Sequence, residues 1–191
     1  MKLNRLYRKM IFFLLCLVLL PVSGCTTDSS AEYDPLTFTL LKVGKADAIV
    51  GLSGQHAMII DAGEEDDGEK VVKFLRQNNV RKVDVMIITH FDQDHVGGAD
   101  TVLEQIEVEN VIVPDYEGVH TEYRDFMEAV NSSGVSLTRL SEPVTFRFMD
   151  AEITVDPPAC YEIENTGVDY DNNFSLITTV VHGDKIGRAH V

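Results

Sequence analysis

The sequence predicts a single α/β layered domain, and three observations carry that prediction. Strand-like and helix-like segments alternate along most of the chain, as they do where helices cover a sheet. The chain has 191 residues, 45% hydrophobic and 25% charged, which is enough apolar material for one domain with a core. The apolar run at residues 83–88 reads as a short buried strand and leads straight into His90-Phe91-Asp92-Gln93-Asp94-His95. The densest polar chemistry therefore sits at a strand end, where α/β proteins place their sites.

The elements follow in order. Residues 36–43, 47–52 and 56–61 read as three strands, with Ser53-Gly54 as the hairpin turn between the second and third. Glu64-Glu65-Asp66-Asp67 precedes a helix whose inner face carries Val71, Val72, Phe74 and Leu75. Acids at a helix start complement the macrodipole and can cap it, so the acidic run needs no further role. After the strand at 83–88 come a short helix at 99–106 and a strand at 110–113. A helix at 122–131, ended by Ser132-Ser133-Gly134, leads to a strand at 136–140. Residues 145–148 and 152–155 read as a hairpin through Met149-Asp150. Residues 157–172 form a long irregular stretch, the profile of an active-site loop. The last expected strand, at 175–181, has no visible pairing partner downstream, which leaves a sheet edge open.

The first residues stand apart from this domain. Lys2, Arg5, Arg8 and Lys9 precede the apolar run at 11–20, and Pro21-Val22-Ser23-Gly24-Cys25 follows. A basic head, a short apolar stretch and small residues make a secretory signal, and the run is short for a membrane span. Val22-Ser23-Gly24-Cys25 resembles the bacterial lipobox. Residues 1–24 are accordingly expected to be a lipoprotein signal peptide, with Cys25 the lipidated first residue of the mature chain. An uncleaved anchor helix is the alternative. Residues 25–35 read as a polar tether. Two acyl chains on Cys25 suffice for stable anchoring, so the expected location is extracytoplasmic, on the cell membrane. With Cys16 leaving in the signal and Cys25 lipidated, only Cys160 remains, and no disulfide is available to the domain.

Charge narrows the partners. The formal net charge is −15, and loss of the four basic residues at the start makes it more negative. Nucleic-acid binding relies on clustered Lys and Arg. The only dense basic group is Lys70, Lys73, Arg76, Arg81 and Lys82, and its first three members read as the solvated face of a helix. No strong nucleic-acid-binding patch is expected.

The motif points to metal chemistry. In an extended segment residues two apart point the same way, so His90 and Asp92 can grip one ion. Asp94 and His95 lie past the bend and can reach a second. Imidazole suits zinc, iron or manganese, and carboxylate shifts preference toward harder ions. A solvated loop with a capping Asp would explain one such residue, but not four of them followed by Val96-Gly97-Gly98.

His90-x-Asp92-x-Asp94-His95-x-Gly97-Gly98 resembles the metal motif of the metallo-β-lactamase fold superfamily. Most members carry His where this chain has Asp92. The Asp form resembles the hydrolase domain attached to ComEC-type competence proteins, and its stand-alone relatives. Leu41-Lys42-Val43-Gly44-Lys45-Ala46-Asp47-Ala48-Ile49-Val50 is similar to that group's opening strand pair, with Lys45 and Ala46 departing from the usual Gly-Gln-Gly-Asp. Met58-Ile59-Ile60-Asp61-Ala62-Gly63 resembles the superfamily's first motif, and Asp171-Asn172-Asn173-Phe174-Ser175-Leu176 resembles the group's Asn-x-Ser-Leu strand.

The resemblance covers about residues 36–185 and implies a four-layer α-β-β-α sandwich, its second half incomplete, with metals at the sheet edges. It implies a binuclear site of two divalent ions, zinc or manganese. His90 and Asp92 would hold the first; Asp94 and His95 would hold the second, with Asp94 beside the nucleophilic water as the catalytic residue. Asp61 would brace the metal loop by hydrogen bonds. Asp47, at the turn into the second strand, could orient the same loop, although a turn Asp needs no such role. Asp171, Asn173 and Ser175 lie where most members place another His. One of them is a candidate further ligand, with turn chemistry as the alternative. The carboxylate of Asp92 adds negative charge at the first ion, so manganese competes with zinc.

Other residues rank lower. His120, after Gly118-Val119, reads as a surface histidine ahead of a substrate contact. His56 and His182 read as structural, and Cys160 as an incidental small residue. The family continues into a Thr-Gly-Asp strand and a later His, and neither occurs here. Ile186-Gly187-Arg188-Ala189-His190-Val191 matches the translation of a short-read sequencing adapter. Residues 186–191 are therefore expected to be an artefactual tail, with His190 set aside as a ligand.

The resulting expectation is a membrane-anchored extracytoplasmic metal-dependent hydrolase. Its expected substrates are small-molecule or nucleic-acid phosphodiesters, a class that rests on analogy. Asp92 in place of His disfavours β-lactam hydrolysis. The alternative is a non-catalytic metal- or ligand-binding lipoprotein with a degenerate site.

Overall fold

A computed structural model of the chain describes residues 34–161 and 171–189. The expected signal segment, Cys25, the tether up to residue 33, most of the irregular stretch at 157–172, and His190 lie outside the described residues. Among the described residues no helix is long and apolar enough to cross a membrane.

Strands buried at nearly every position form the middle of the first sheet. β1 (Thr37–Leu40), β2 (Ala48–Ser53) and β3 (His56–Ala62) form an antiparallel meander. β5 (Val85–Ile87), β7 (Asn110–Pro114) and β8 (Ser136–Leu140) then add in parallel, giving the order β1-β2-β3-β5-β7-β8. The parallel crossovers carry helices α1 (Gly68–Gln77), α2 (Gln93–Val96), α3 (Ala99–Gln105) and α4 (Thr121–Ser133). A second sheet, β12-β11-β10-β9, is antiparallel throughout and consists of β9 (Val144–Phe148), β10 (Ala151–Asp156), β11 (Ile177–His182) and β12 (Lys185–Ala189).

Alternation along the central strands sorts their side chains into two cores. Ile59, Met86, Ile88, Val111 and Val113 meet Val71, Val72 and Leu75 of α1, Val102 of α3, and Phe126 and Val130 of α4. Met58, Ile60, Val85, Ile87 and Ile112 turn the other way and pack on Phe148, Ile153 and Val155 of the second sheet and on Leu176 just ahead of β11. Each fully buried side chain of this kind contributes about 1.5–3 kcal/mol. The order is helices, six-stranded sheet, four-stranded sheet, so three of the four layers implied by the resemblance lie among the described residues.

Three local expectations need correction. The run at 83–88 is not one strand. β4 (Lys82–Val83) pairs with β6 (Glu107–Val108) in a separate ladder, while β5 joins β3 and β7. The break falls at Asp84, whose carboxylate accepts the Ala57 N–H at 2.9 Å and whose own N–H donates to Ala57 O at 2.9 Å. The strand expected from residue 175 starts at Ile177, because Asp171–Phe174 winds into a 3-10 turn first. That strand also has a downstream partner: after the turn at Gly183-Asp184, β12 pairs back along β11 from His182↔Lys185 to Thr178↔Ala189. Phe38 and Leu40 of β1, Val180 of β11 and Ile186 of β12 line an apolar groove.

Candidate metal centre

The centre grows from the ends of β3 and β5. Asp61 closes β3 with φ at 58°, a left-handed conformation that Asp tolerates better than most residues. Its carboxylate is buried and accepts three hydrogen bonds. Oδ1 takes the Thr89 N–H at 2.7 Å; Oδ2 takes the Thr89 hydroxyl at 2.6 Å and His95 Nδ1–H at 2.9 Å.

This one carboxylate sets the proton positions on both motif histidines. His95 gives its Nδ1 hydrogen to Asp61, which leaves the lone pair on Nε2, facing Asp94 Oδ1 at 4.0 Å. Thr89 spends its only hydroxyl hydrogen on Asp61, so toward His90 it can only accept. The 3.1 Å contact with His90 Nδ1 therefore makes Nδ1 the donor, and Nε2 of His90 again holds the lone pair. That Nε2 is fully buried, without a hydrogen-bond partner, 3.5 Å from Asp92 Oδ2. The two rings lie 4.0 Å apart, centroid to centroid.

For His90 the electrostatics agree with this assignment. Burial, followed by the charge of neighbouring His95, lowers the His90 pKa to about 4, so the ring is neutral at physiological pH. Burial also opposes charge on His95, but the hydrogen bond and charge of Asp61, with Asp94 and Asp47, outweigh it and raise its pKa.

Two glycines seat the motif. After His90 the chain bends into α2, where the Asp92 carbonyl accepts the N–H groups of His95 and Val96 at 3.0 Å each. A Cβ on Gly97 would lie 2.4 Å from Gln93 O and 2.7 Å from Glu65 N; on Gly98 it would lie 2.5 Å from both Ala62 O and Gly68 N. Only glycine lets the bend settle against the end of β3 and the start of α1. Asp47 touches this region through its backbone: its N–H donates to Asp94 O at 3.1 Å, and its carbonyl accepts Gly63 N–H at 2.9 Å. Its side chain is exposed.

Asp92, His120 and Asp171 form a second group, their ligand atoms all within 4.8 Å of one another. Asp171 is buried. Burial, then the charge of Asp92 and a hydrogen bond with it, raises its pKa, while Tyr116 and His120 work the other way. The Tyr116 hydroxyl accepts the Phe91 N–H at 3.0 Å, so its hydrogen is free to go to Asp171, with which it is hydrogen-bonded. Leu176 N–H donates to Thr89 O at 2.9 Å, tying the segment that carries Asp171 to the motif strand. Of the three candidates in that segment, the structure brings Asp171 to the motif. Asn173 is exposed, and the buried hydroxyl of Ser175 has no hydrogen-bond partner.

The residues fit a divalent ion. A buried imidazole nitrogen with a bare lone pair and no donor nearby is costly, and a cation between it and Asp92 would satisfy it. His95 Nε2 with Asp94 offers a second pair of donors. His90, Asp92, Asp94, His95 and Asp171 are thus placed where they could hold metal. His120 is exposed, as its reading as a surface histidine has it, and lies within reach of Asp92 and Asp171. No local pattern marks it, because only the fold brings residue 120 to residues 92 and 171.

Comparison with known proteins gives a consistent picture. Over 94 residues the chain is 30% identical to ComE operon protein 3 of Bacillus subtilis (strain 168), covering 48% of this chain and 12% of that protein. This partial likeness supports the ComEC-type branch, while the chain spans only a small part of that relative's length. Solved structures share the fold at low identity. A metallo-beta-lactamase with a HARLDQ motif from Cronobacter sakazakii matches with a TM-score of 0.53 at 11% identity, over 76% of this chain and 52% of that one. The metallo-beta-lactamase fold protein YhfI from Bacillus subtilis matches with a TM-score of 0.52 at 11% identity, over 80% and 61%. MEM-A1, a subclass B3 metallo-beta-lactamase from a soil metagenome library, matches with a TM-score of 0.54 at 12% identity, over 82% and 59%. The sequence model described as the metallo-beta-lactamase superfamily matches residues 45–185. A match of that extent, on paired sheets that set a histidine–carboxylate centre at their strand ends, means that the chain belongs to the metallo-beta-lactamase superfamily.

Proposed function

We propose that the protein is an extracytoplasmic, lipid-anchored hydrolase that cleaves phosphodiesters with two divalent ions, zinc or manganese. The observation that carries this reading is the buried, unpartnered Nε2 of His90 beside the Asp92 carboxylate. His90, Asp92 and Asp171 would hold the first ion; Asp94 and His95 would hold the second. Bound divalent ions supply Lewis-acid polarisation and a water acidified toward neutral pH.

The chain's own residues do the rest. Asp61 holds both imidazoles in the tautomer that presents Nε2, and Thr89 passes that control on to His90. Asp94, only partly covered, takes the proton of the attacking water on its carboxylate. Tyr116 steadies Asp171 through its hydroxyl. The net charge of −15 favours a small phosphodiester over a long polyanion. The basic head, short apolar run and Val22-Ser23-Gly24-Cys25 support anchoring through a lipid on Cys25.

The full chain should bind close to two metal ions and cleave a bis-aryl phosphodiester in a metal-dependent way, with DNA and a β-lactam as parallel substrates. Asp94→Ala should lose most metal and activity. Stoichiometric metal with activity retained in that variant would sink the role of Asp94, and failure on all three substrates would leave a metal-binding fold without this chemistry. For the anchor, Cys25→Ser should move the protein from the membrane fraction to the soluble one.

A further inference from the structure

The loop from Asp115 to His120 is fastened to the motif at Phe91, to β8 at Arg139 and to the start of α4. Its Tyr116 hydroxyl accepts the N–H of Phe91, and Tyr116 O accepts Arg139 Nη1–H at 2.7 Å. Glu117 pairs with Arg139 at 3.1 Å and accepts the Tyr123 hydroxyl. Arg124 Nη2–H donates to Val119 O at 3.1 Å. Gly118 passes so close that a Cβ there would lie 2.6 Å from the Tyr123 ring and 2.9 Å from Phe91 Cβ. The loop then ends in His120, the residue before α4, with extended backbone (φ −79°, ψ 164°). Nothing in this fastening uses the His120 ring, yet it delivers that ring to Asp92 and Asp171.

We propose that His120 is a protein ligand of the first ion, closing a four-donor set with His90 Nε2, Asp92 and Asp171. The proposal rests on the reading of this centre as a metal site. Two independent observations meet here: the Asp92–His120–Asp171 cluster, and the buried, unpartnered His90 Nε2 aimed at the same Asp92 carboxylate. The four donors come from three distant stretches of chain, so an ion at this point staples the motif, the β7–α4 loop and the segment before β11 together. The set has a chemical consequence. Without His120 the first ion would see one imidazole and two carboxylates, a donor set for hard ions. With it, two nitrogens and two carboxylates suit zinc's tetrahedral preference. His120 would thus restore nitrogen character that Asp92 takes away.

The test uses the full chain loaded with cobalt(II), whose ligated imidazoles give strongly shifted, exchangeable ring N–H signals in proton NMR. The wild type should show three, from His90, His95 and His120, and His120→Ala should lose one. Zinc affinity in that variant, measured by chelator competition, should fall by at least about tenfold, and manganese affinity should fall less. His56→Ala, which removes a histidine paired with Asp84 on the surface, should match the wild type in both measurements. Two shifted signals in the wild type, or unchanged zinc affinity in His120→Ala, overturn the assignment of His120 while leaving the metal centre standing. No shifted signal in the wild type would overturn the metal centre itself.

Discussion

The two sides of the centre are built by opposite means. On the inner side, His90 and His95 are buried and held by Asp61 and Thr89, so both tautomers are fixed by the chain alone. On the rim, Asp92, His120 and Asp171 arrive from three segments, and the repulsion of two facing carboxylates is offset by the hydrogen bond between them, by Tyr116 and by His120. The inner side is organised before any ion arrives. On the rim a cation would relieve the repulsion that the Asp92–Asp171 hydrogen bond now offsets. The comparison separates residues that stabilise the fold from residues that cost stability until they are loaded.

The largest expected effect lies on the inner side. Asp61→Ala removes the acceptor for Thr89 N–H, the Thr89 hydroxyl and His95 Nδ1–H, all buried. Metal-free protein should lose about 3–5 kcal/mol in urea unfolding, since each orphaned donor costs about 1–3 kcal/mol. A loss below about 1 kcal/mol would show that water replaces the carboxylate there. Asp61→Asn keeps a residue suited to φ > 0 and should unfold later than the Ala variant. It presents an amide to His95, however, and should still bind metal about 10–100-fold more weakly.

Acid should come next. The folded pKa of His90, about 4, lies below its ordinary 6.5, so the unfolded chain takes up more protons between those values. Stability of the metal-free protein should therefore fall as pH drops from 6.5 toward 4, by at most about 3 kcal/mol. His95 has the opposite sign: its folded pKa is raised, so its contribution is complete below 6.5 and is lost as pH climbs through the folded value. Urea midpoints against pH in a chelator read both slopes, and His90→Asn should flatten the acid limb. An acid limb as steep in that variant would assign it to other groups.

Tyr116→Phe probes the bridge between the two sides. It orphans Phe91 N–H and frees Asp171, and should cost about 1–2 kcal/mol together with some metal affinity; a change in neither would sever the link. The smallest effect on stability should come from the rim. Metal-free Asp92→Asn should stay within about 0.5 kcal/mol of the wild type by thermal unfolding, yet lose most of its first ion. A large destabilisation would mean that Asp92 is structural, and the comparison would fail.

Much of this was readable from the chain. Continuous apolar runs located β2 and β3, because a strand buried on both faces needs apolar residues at nearly every position, and the motif stood out because four such ligands rarely crowd one turn by chance. The split at Asp84 was hidden, since an acid inside an apolar run looks the same whether it interrupts the ladder or points to solvent. Which of Asp171, Asn173 and Ser175 approaches the motif depended on the 3-10 turn before β11, whose winding leaves no period in six residues. The placement of His120 depended on Gly118 fitting between Phe91 and Tyr123, a contact between elements that no window of sequence contains.

The aromatic rings beside the rim have an optical consequence. The chain contains no tryptophan and six tyrosines, so its near-ultraviolet emission is tyrosine emission alone. Three of those rings, Tyr116, Tyr123 and Tyr161, gather around Phe91 and Phe174 next to the centre, and Tyr116 shares a hydrogen bond with Asp171. A nearby carboxylate acceptor quenches phenol fluorescence, and an ion that claims the carboxylate relieves the quenching. Loading of the centre is therefore expected to raise tyrosine emission, readable in a cuvette without label or substrate.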